Sequence, residues 1–379
     1  MRMPLSYHVT GWRCSKIHVT RNILMKEPMH PTLRDVAKKA RVSAMTVSRV
    51  INQNSTVRPE TQHRVERAIE ELHYVPNGVA RGLLSSKSGT LGLIVPDIVN
   101  PFFTMVVRGA ETAARRAGYR ILLCNSESDL ALERDYVAEM ISHRVEGLLI
   151  APVGEESKTH LLPLAQRGFP FVLIDRSVRG VECDAVQADN VTGARELTAH
   201  LARMGHRNVA MIVERGDVST GRERRQGYLE AMDAAHLSVS TGLIQETTAD
   251  RLGGYRAATK ILGLTPRPTA IFAVNNMTVM GAMQAIREAG LWVPDDMALV
   301  CFDDVEHLAV VSPFLTVMNQ PTEMFGTVAS TLLMERLTGR STDQPRRVVL
   351  SAELIVRESC GAKARTERRI AALPMDRRR

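Results

Sequence analysis

From Thr90 onward, short apolar runs alternate with amphipathic stretches, and this alternation restricts the possible folds more than any other feature of the chain. The apolar runs include TLGLIVPD, RILLCNS, VEGLLIAPV, FVLID, NVAMIVE, AIFAVNN and ALVCFDD. Between them lie stretches with helical spacing of apolar residues, such as VVRGAETAARRAG, RELTAHLARMG and VMGAMQAIREAG. Strand–helix alternation of this kind specifies an α/β fold with parallel sheets. The runs are too many for one comfortable open sheet, and the pattern restarts near residue 190. We therefore expect two Rossmann-like lobes with a cleft between them. Lobe one should span 89–188 and 320–345, and lobe two 189–319 and 346–360.

Open α/β sheets bind ligands beyond the carboxyl ends of their strands, and polar residues gather at those ends here. Asp97 and Asn100 follow the first run, with Phe102 and Phe103 just beyond. Asp175 and Arg176 follow FVLI, Asn275 and Asn276 follow AIFAV, and Asp303 and Asp304 follow ALVCF. Arg222 and Arg224 come after NVAMIVE, and Gln320 after LTVMN. Fixed carboxylate, guanidinium and amide groups match the donor–acceptor pattern of vicinal hydroxyls, and an aromatic face suits a sugar ring. Any one of these residues also suits the capping of a strand–helix turn; the cluster is what points to a ligand.

Charge placement separates the ends of the chain from its middle. The net charge of +8 is uneven: residues 1–90 carry 15 Lys/Arg against 6 Asp/Glu, whereas residues 91–360 carry 27 against 33. A basic head on an acidic body suggests that the head alone meets a polyanion. The Arg-rich end, residues 361–379, reads as a solvated tail. Residues 1–28 are basic but lack the apolar core of a secretory signal, and we expect a disordered leader ahead of Met29. No apolar run approaches the roughly 20 residues that cross a bilayer. The five scattered cysteines form no C-x-x-C pair, which argues for a reducing cytoplasm and against a zinc site. We find no G-x-S-x-G, H-E-x-x-H or P-loop motif, so we expect no catalytic residues, no metal and no cofactor. His200 and His206 read as solvated or capping residues.

The head has its own helical logic. Thr32 with Asp35 makes a capping-box-like start, and Leu33, Val36 and Ala37 form an apolar stripe. After a short turn at Arg41–Val42, Ser43 can cap a helix in which Val47, Val50 and Ile51 share the inner face. Met45, Arg49 and Asn52 point outward. A third helix starts at Pro59, with Val65, Ile69 and Leu72 inside. This pattern over residues 29–76 matches a helix-turn-helix, with the outer stripe placed to enter a DNA major groove. Arg49 can donate two hydrogen bonds to a guanine edge, while Thr32, Thr46, Ser48 and Asn52 suit phosphate contacts.

The stretch TLRDVAKKARVSAMTVSRVINQNSTVRPETQHRVERAIEELHYVPNGVARGL resembles the head of the lactose-repressor/galactose-repressor family, and the resemblance extends to about residue 360. It implies a small all-α head on a two-lobed body like the periplasmic sugar-binding proteins. It also implies a ligand-controlled transcription factor, most often a repressor, that binds a pseudo-palindromic double-stranded DNA operator as a homodimer in the cytoplasm. The two residues before T-V-S-R choose the operator in that family; here they are Ala44 and Met45, both suited to thymine methyls. Asn77 and Leu83 would also touch DNA, with Leu83 wedged into the minor groove from a hinge at 77–88 that folds on the operator. Two departures stand out: Arg41 where the family often has Gly, and Arg58 where a Ser usually caps the third helix. In the body, the set resembles the ribose-binding members of the superfamily. On that likeness Phe102 and Phe103 flank a sugar ring, while Asn100, Asp175, Arg176, Arg224, Asn275, Asp303 and Gln320 complete the effector set. Asn276 stands where the family usually has Asp. The alternatives are a purine-type regulator that needs a corepressor, and a sugar-binding protein without a regulatory role. Residues 361–379 lack the heptads of a tetramerisation helix.

Overall fold

The computed structural model describes residues 31–51, 57–75, 88–304, 314–340 and 344–361. The expected leader (1–28), hinge (77–88, save its last residue) and tail (361–379, save its first) lie outside the described residues, as do Asn52, Asn77 and Leu83. The chain forms two compact units, residues 1–85 and 86–379.

In the first unit, α1 (Leu33–Ala40), α2 (Ala44–Ile51) and α3 (Pro59–Glu71) close around Val36, Val47 and Val65, all fully buried. The capping box at Thr32 forms: the Thr32 amide donates to Asp35 Oδ2 at 2.8 Å and the Asp35 amide to Thr32 Oγ1 at 3.4 Å. Ser43 Oγ accepts from the Thr46 amide at 3.1 Å, starting α2. Both departures from the family pattern have structural consequences. Arg41 ends α1 at φ 55°, a left-handed conformation that costs a non-glycine residue about 1 kcal/mol. Arg58 gives α3 no side-chain cap.

The second unit contains two six-stranded sheets built to the same plan. The first sheet uses β1 (Thr90–Val95), β2 (Arg120–Asn125), β3 (Gly147–Ile150), β4 (Phe171–Ile174) and β5 (Asp184–Ala188). The second uses β6 (Val209–Glu214), β7 (Ile244–Thr247), β8 (Ala270–Ala273), β9 (Ala298–Phe302) and β10 (Thr316–Asn319). The last strands are β11 (Arg347–Leu350) and β12 (Glu353–Ile355), and the orders are β11-β5-β4-β3-β1-β2 and β12-β10-β9-β8-β6-β7. All pairings are parallel except β12 with β10. Apolar clusters cover both faces of each sheet, which is why the strands read as nearly unbroken apolar runs.

Among the described residues, eight α-helices follow the head: α4 (Pro101–Arg116), α5 (Leu130–Ser142), α6 (Lys158–Gln166), α7 (Asn190–Arg203), α8 (Ser219–Ala234), α9 (Arg251–Leu262), α10 (Asn276–Glu288) and α11 (Thr322–Leu337). α11 packs on α4 in lobe one through glycine: a Cβ on Gly326 would meet Val106 O at 1.9 Å, and one on Gly109 would meet Glu323 O at 2.0 Å. The chain thus passes between lobes after β5, after β10 and between β11 and β12.

Two expectations need correction. Residues 347–350 belong to lobe one and not lobe two, because β11 pairs with β5 and the neighbouring Arg346 is bonded to Asp184. Asp184 is buried, yet Arg336 and Arg346 hold its carboxyl below the usual range. His200, expected at the surface, is buried in the last turn of α7, with Nε2 3.1 Å from Cys360 Sγ; burial lowers its pKa.

Candidate effector cleft and DNA-reading surface

The carboxyl ends of the strands from both lobes face one small cavity. It is lined by Asn100, Phe102, Phe103, Asp175, Arg176, Arg224, Asn275, Asp303 and Gln320, together with Glu214, Thr220 and Val274. The nine residues of the effector set therefore meet at one place, whereas Asp97, Arg222, Asn276 and Asp304, also named at strand ends, do not line it. Glu214, Thr220 and Val274 were missed, although Glu214 ends the quoted run NVAMIVE and the strand-end rule could have found it.

Asp175 and Asp303 occupy equivalent places, each one residue beyond its strand. Both have positive φ, 66° and 83°, and each amide still donates to the neighbouring strand, to Val186 O at 2.8 Å and Met318 O at 2.9 Å. Non-glycine residues held in this region store strain that clusters at binding sites. The turn aims both carboxylates inward. Burial pushes the Asp175 carboxyl up to about 6, against the pull of Arg224 and Arg176 and with the push of Asp303 and Glu214. Burial raises Asp303 as well, opposed by Arg224 and by the Gln320 amide, which donates to its Oδ1.

The two arginines are held by backbone and side-chain acceptors. Arg176 Nη1 donates to Pro152 O at 3.1 Å and Val153 O at 3.2 Å; Nη2 reaches Glu214 Oε1 at 3.4 Å. Arg224 donates from Nε to Asn190 Oδ1 at 2.9 Å and from Nη1 to Val274 O at 2.7 Å, with its guanidinium 3.9 Å over the Phe302 ring. Phe102 and Phe103 pack edge to face, with ring centroids 5.0 Å apart.

Two predicted ligand-holding residues are also structural caps. Asn100 Oδ1 accepts from the Phe102 amide at 2.9 Å, and Asn275 Oδ1 from the Thr278 amide at 2.8 Å. Asn100 Oδ1 also accepts from Asn276 Nδ2 at 2.9 Å, a bond that runs from lobe to lobe. An ion-pair group adds to this contact: Arg179 of lobe one reaches Asp217 at 3.3 Å, and Arg222 of lobe two reaches Glu155 at 3.3 Å.

Among the described residues, four buried polar atoms in and around the cavity have no protein hydrogen-bond partner: Asp175 Oδ1, Arg176 Nε, Asn276 Oδ1 and Gln320 Oε1. Buried polar groups are nearly always paired, because leaving one unpaired costs about 1–3 kcal/mol. Three acceptors and one donor, beside aromatic rings, suit a ligand rich in hydroxyls. The cavity measures about 30 Å³, room for a water and not for a sugar ring.

In the first unit, the side chains expected to read DNA lie mainly on α2. Ala44, Met45 and Arg49 are exposed, Met45 to 64%, whereas Val47 in the same helix is buried. Thr46 and Ser48 are partly buried along its flanks, with Thr46 Oγ1 2.9 Å from Ser43 Oγ. Thr32 is exposed at the start of α1, its hydroxyl engaged with Asp35 at 2.7 Å.

A helix-turn-helix head joined to a two-lobed body with a polar cleft defines a class of protein, the ligand-responsive DNA-binding regulators. Residues 32–77 match the bacterial regulatory proteins of the lacI family, and residues 198–360 a periplasmic binding protein-like domain. The chain is 34% identical over 331 residues to the HTH-type transcriptional repressor PurR of Photobacterium profundum, covering 86% of this chain and 98% of that one. The transcriptional regulator CelR in complex with cellobiose is 34% identical, with a TM-score of 0.66 over 87% of this chain and 99% of that one. The lac repressor dimer bound to operator and the anti-inducer ONPF is 26% identical, with a TM-score of 0.76 over the same shares, 87% and 99%. The chain belongs to the lacI family of bacterial regulatory proteins. It is a sequence-specific DNA-binding transcriptional regulator under small-molecule control.

Proposed function

We propose that this chain is a cytoplasmic, homodimeric repressor that reads a pseudo-palindromic operator through α2, and that a monosaccharide bound between the lobes releases it. The observation that carries this reading is the meeting of Asp175, Arg176, Arg224, Asp303 and Gln320 around one cavity, with buried polar atoms left unpaired. The cleft binds and releases its ligand without chemistry. Asp175 and Asp303 accept from ring hydroxyls, Arg176 and Arg224 donate to them, and Phe102 and Phe103 cover the ring. Met45 and Ala44 meet thymine methyls, and Arg49 meets a guanine.

Binding that changes the angle between lobes alters operator affinity, and the coupling is reciprocal: whatever the ligand does to operator affinity, the operator does to ligand affinity. The test is a thermal-shift screen of pentoses, hexoses and purine bases on the full chain, with each hit repeated in the presence of operator DNA. A monosaccharide hit whose binding weakens with operator bound supports release. A second reading, a purine corepressor, is favoured by the PurR relatives; it predicts a purine hit whose binding strengthens with operator. A response to neither class removes the cleft as the control site.

A further inference from the structure

The cleft contains more acid than its cations neutralise. Glu214 ends β6 in lobe two, its side chain is 15% exposed, and its Oε1 lies 3.4 Å from Arg176 Nη2 of lobe one. Asp175, Glu214 and Asp303 thus share the cavity wall with two cations, Arg176 and Arg224. Both guanidiniums already face acceptors of the protein, and among the described residues Arg176 Nε is the donor left without one. Arg176 is committed to Pro152, Val153 and Glu214, and Arg224 to Asn190 and Val274, 3.8 Å from Asp303 Oδ2. The upward push on Asp175 comes first from burial; Arg224 and Arg176 pull against it, and Asp303 and Glu214 add to it. A phosphate or carboxylate brought here would be a further anion in a poorly solvated site. It would also set acceptor oxygens against Asp175 Oδ1 and Gln320 Oε1, which are themselves acceptors without a donor.

We propose that Glu214 is a specificity-determining residue: it completes a carboxylate excess that admits uncharged polyhydroxy ligands and excludes their phosphorylated and acidic counterparts. This rests on the cleft being the effector site. Glu214 faces lobe one from lobe two, so the excess is assembled only as the lobes approach, and discrimination is greatest in the closed form.

The test uses the full chain, with D-ribose and D-glucose as neutral probes and D-ribose 5-phosphate and D-glucose 6-phosphate as their charged partners. Thermal shift and calorimetry are read for the wild type, Glu214→Gln and Glu214→Asp. The wild type should prefer a neutral sugar to its phosphate by a factor on the order of 100. Glu214→Gln keeps the side chain's shape and removes its charge, and should reduce that preference to about tenfold or less; Glu214→Asp should retain most of it. An unchanged ratio in Glu214→Gln would mean that size and not charge excludes the ester, and would overturn the proposal. Wild-type binding of the ester as tight as that of the parent sugar would do so without any variant. Silence toward every neutral sugar and every ester instead removes the effector-site reading, and this inference with it.

Discussion

The head and the cleft both recognise a partner, and they prepare for it in opposite ways. On α2 the side chains proposed to read DNA stand in solvent, and the buried face is apolar. In the cleft the groups proposed to hold a ligand are themselves buried, charged and partly without protein partners, on strand ends with left-handed aspartates. The head therefore gives up little stability to be ready for DNA; each exposed group trades water for a base or phosphate. The proposed cleft residues include buried atoms without protein partners, which a ligand that pairs them would satisfy. A ligand can shift a conformational equilibrium only by its differential affinity for the two states, and groups brought together at a lobe interface are where the proposed ligand would find that difference.

The largest expected effect tests the cleft. Asp303→Ala removes a carboxylate of the proposed sugar site and the partner of Gln320, so sugar affinity should fall by about 100-fold or more. Calorimetry measures that loss, and a gel shift should show operator binding that no longer responds to sugar. Retained response would place recognition elsewhere. In the head, Arg49→Ala should lose about 1–3 kcal/mol of discrimination at one guanine position, measured across a set of single-base operator variants. A uniform loss over all variants would instead mark Arg49 as a phosphate contact.

A smaller effect depends on pH. Hydroxyl donors favour the ionised form of Asp175, whose carboxyl stands near 6 when free of ligand. Sugar affinity should therefore weaken by roughly tenfold between pH 7 and 5, with protons released on binding at pH 6. Stability moves the other way. A carboxyl raised from 3.8 to about 6 contributes most below 3.8, and that contribution is lost as pH rises through 6. Affinity that is flat over this range would show that Asp175 stays ionised throughout. The smallest effect belongs to the head: Arg41→Gly should relieve the left-handed turn and slow hydrogen exchange in α1 and α2 by a few-fold, for about 1 kcal/mol.

Much of this was legible in the sequence, for a physical reason. Helix stripes, caps and strand runs depend on residues a few positions apart, so Thr32 with Asp35, Ser43 with Thr46, and the apolar runs of both sheets were readable by spacing. The strand-end rule gathered Asp175, Arg224, Asp303 and Gln320 because a parallel sheet brings its carboxyl ends to one side. What spacing could not say is which groups meet across the fold. Asn100 and Asn276 bond across 176 positions, β11 joins lobe one through its register with β5, His200 turns inward onto Cys360, and Glu214 reaches Arg176 from the opposite lobe. Local pattern fixed the elements and the chemistry at their ends; topology and lobe closure decided which charges share one cavity, because those distances depend on every strand between them.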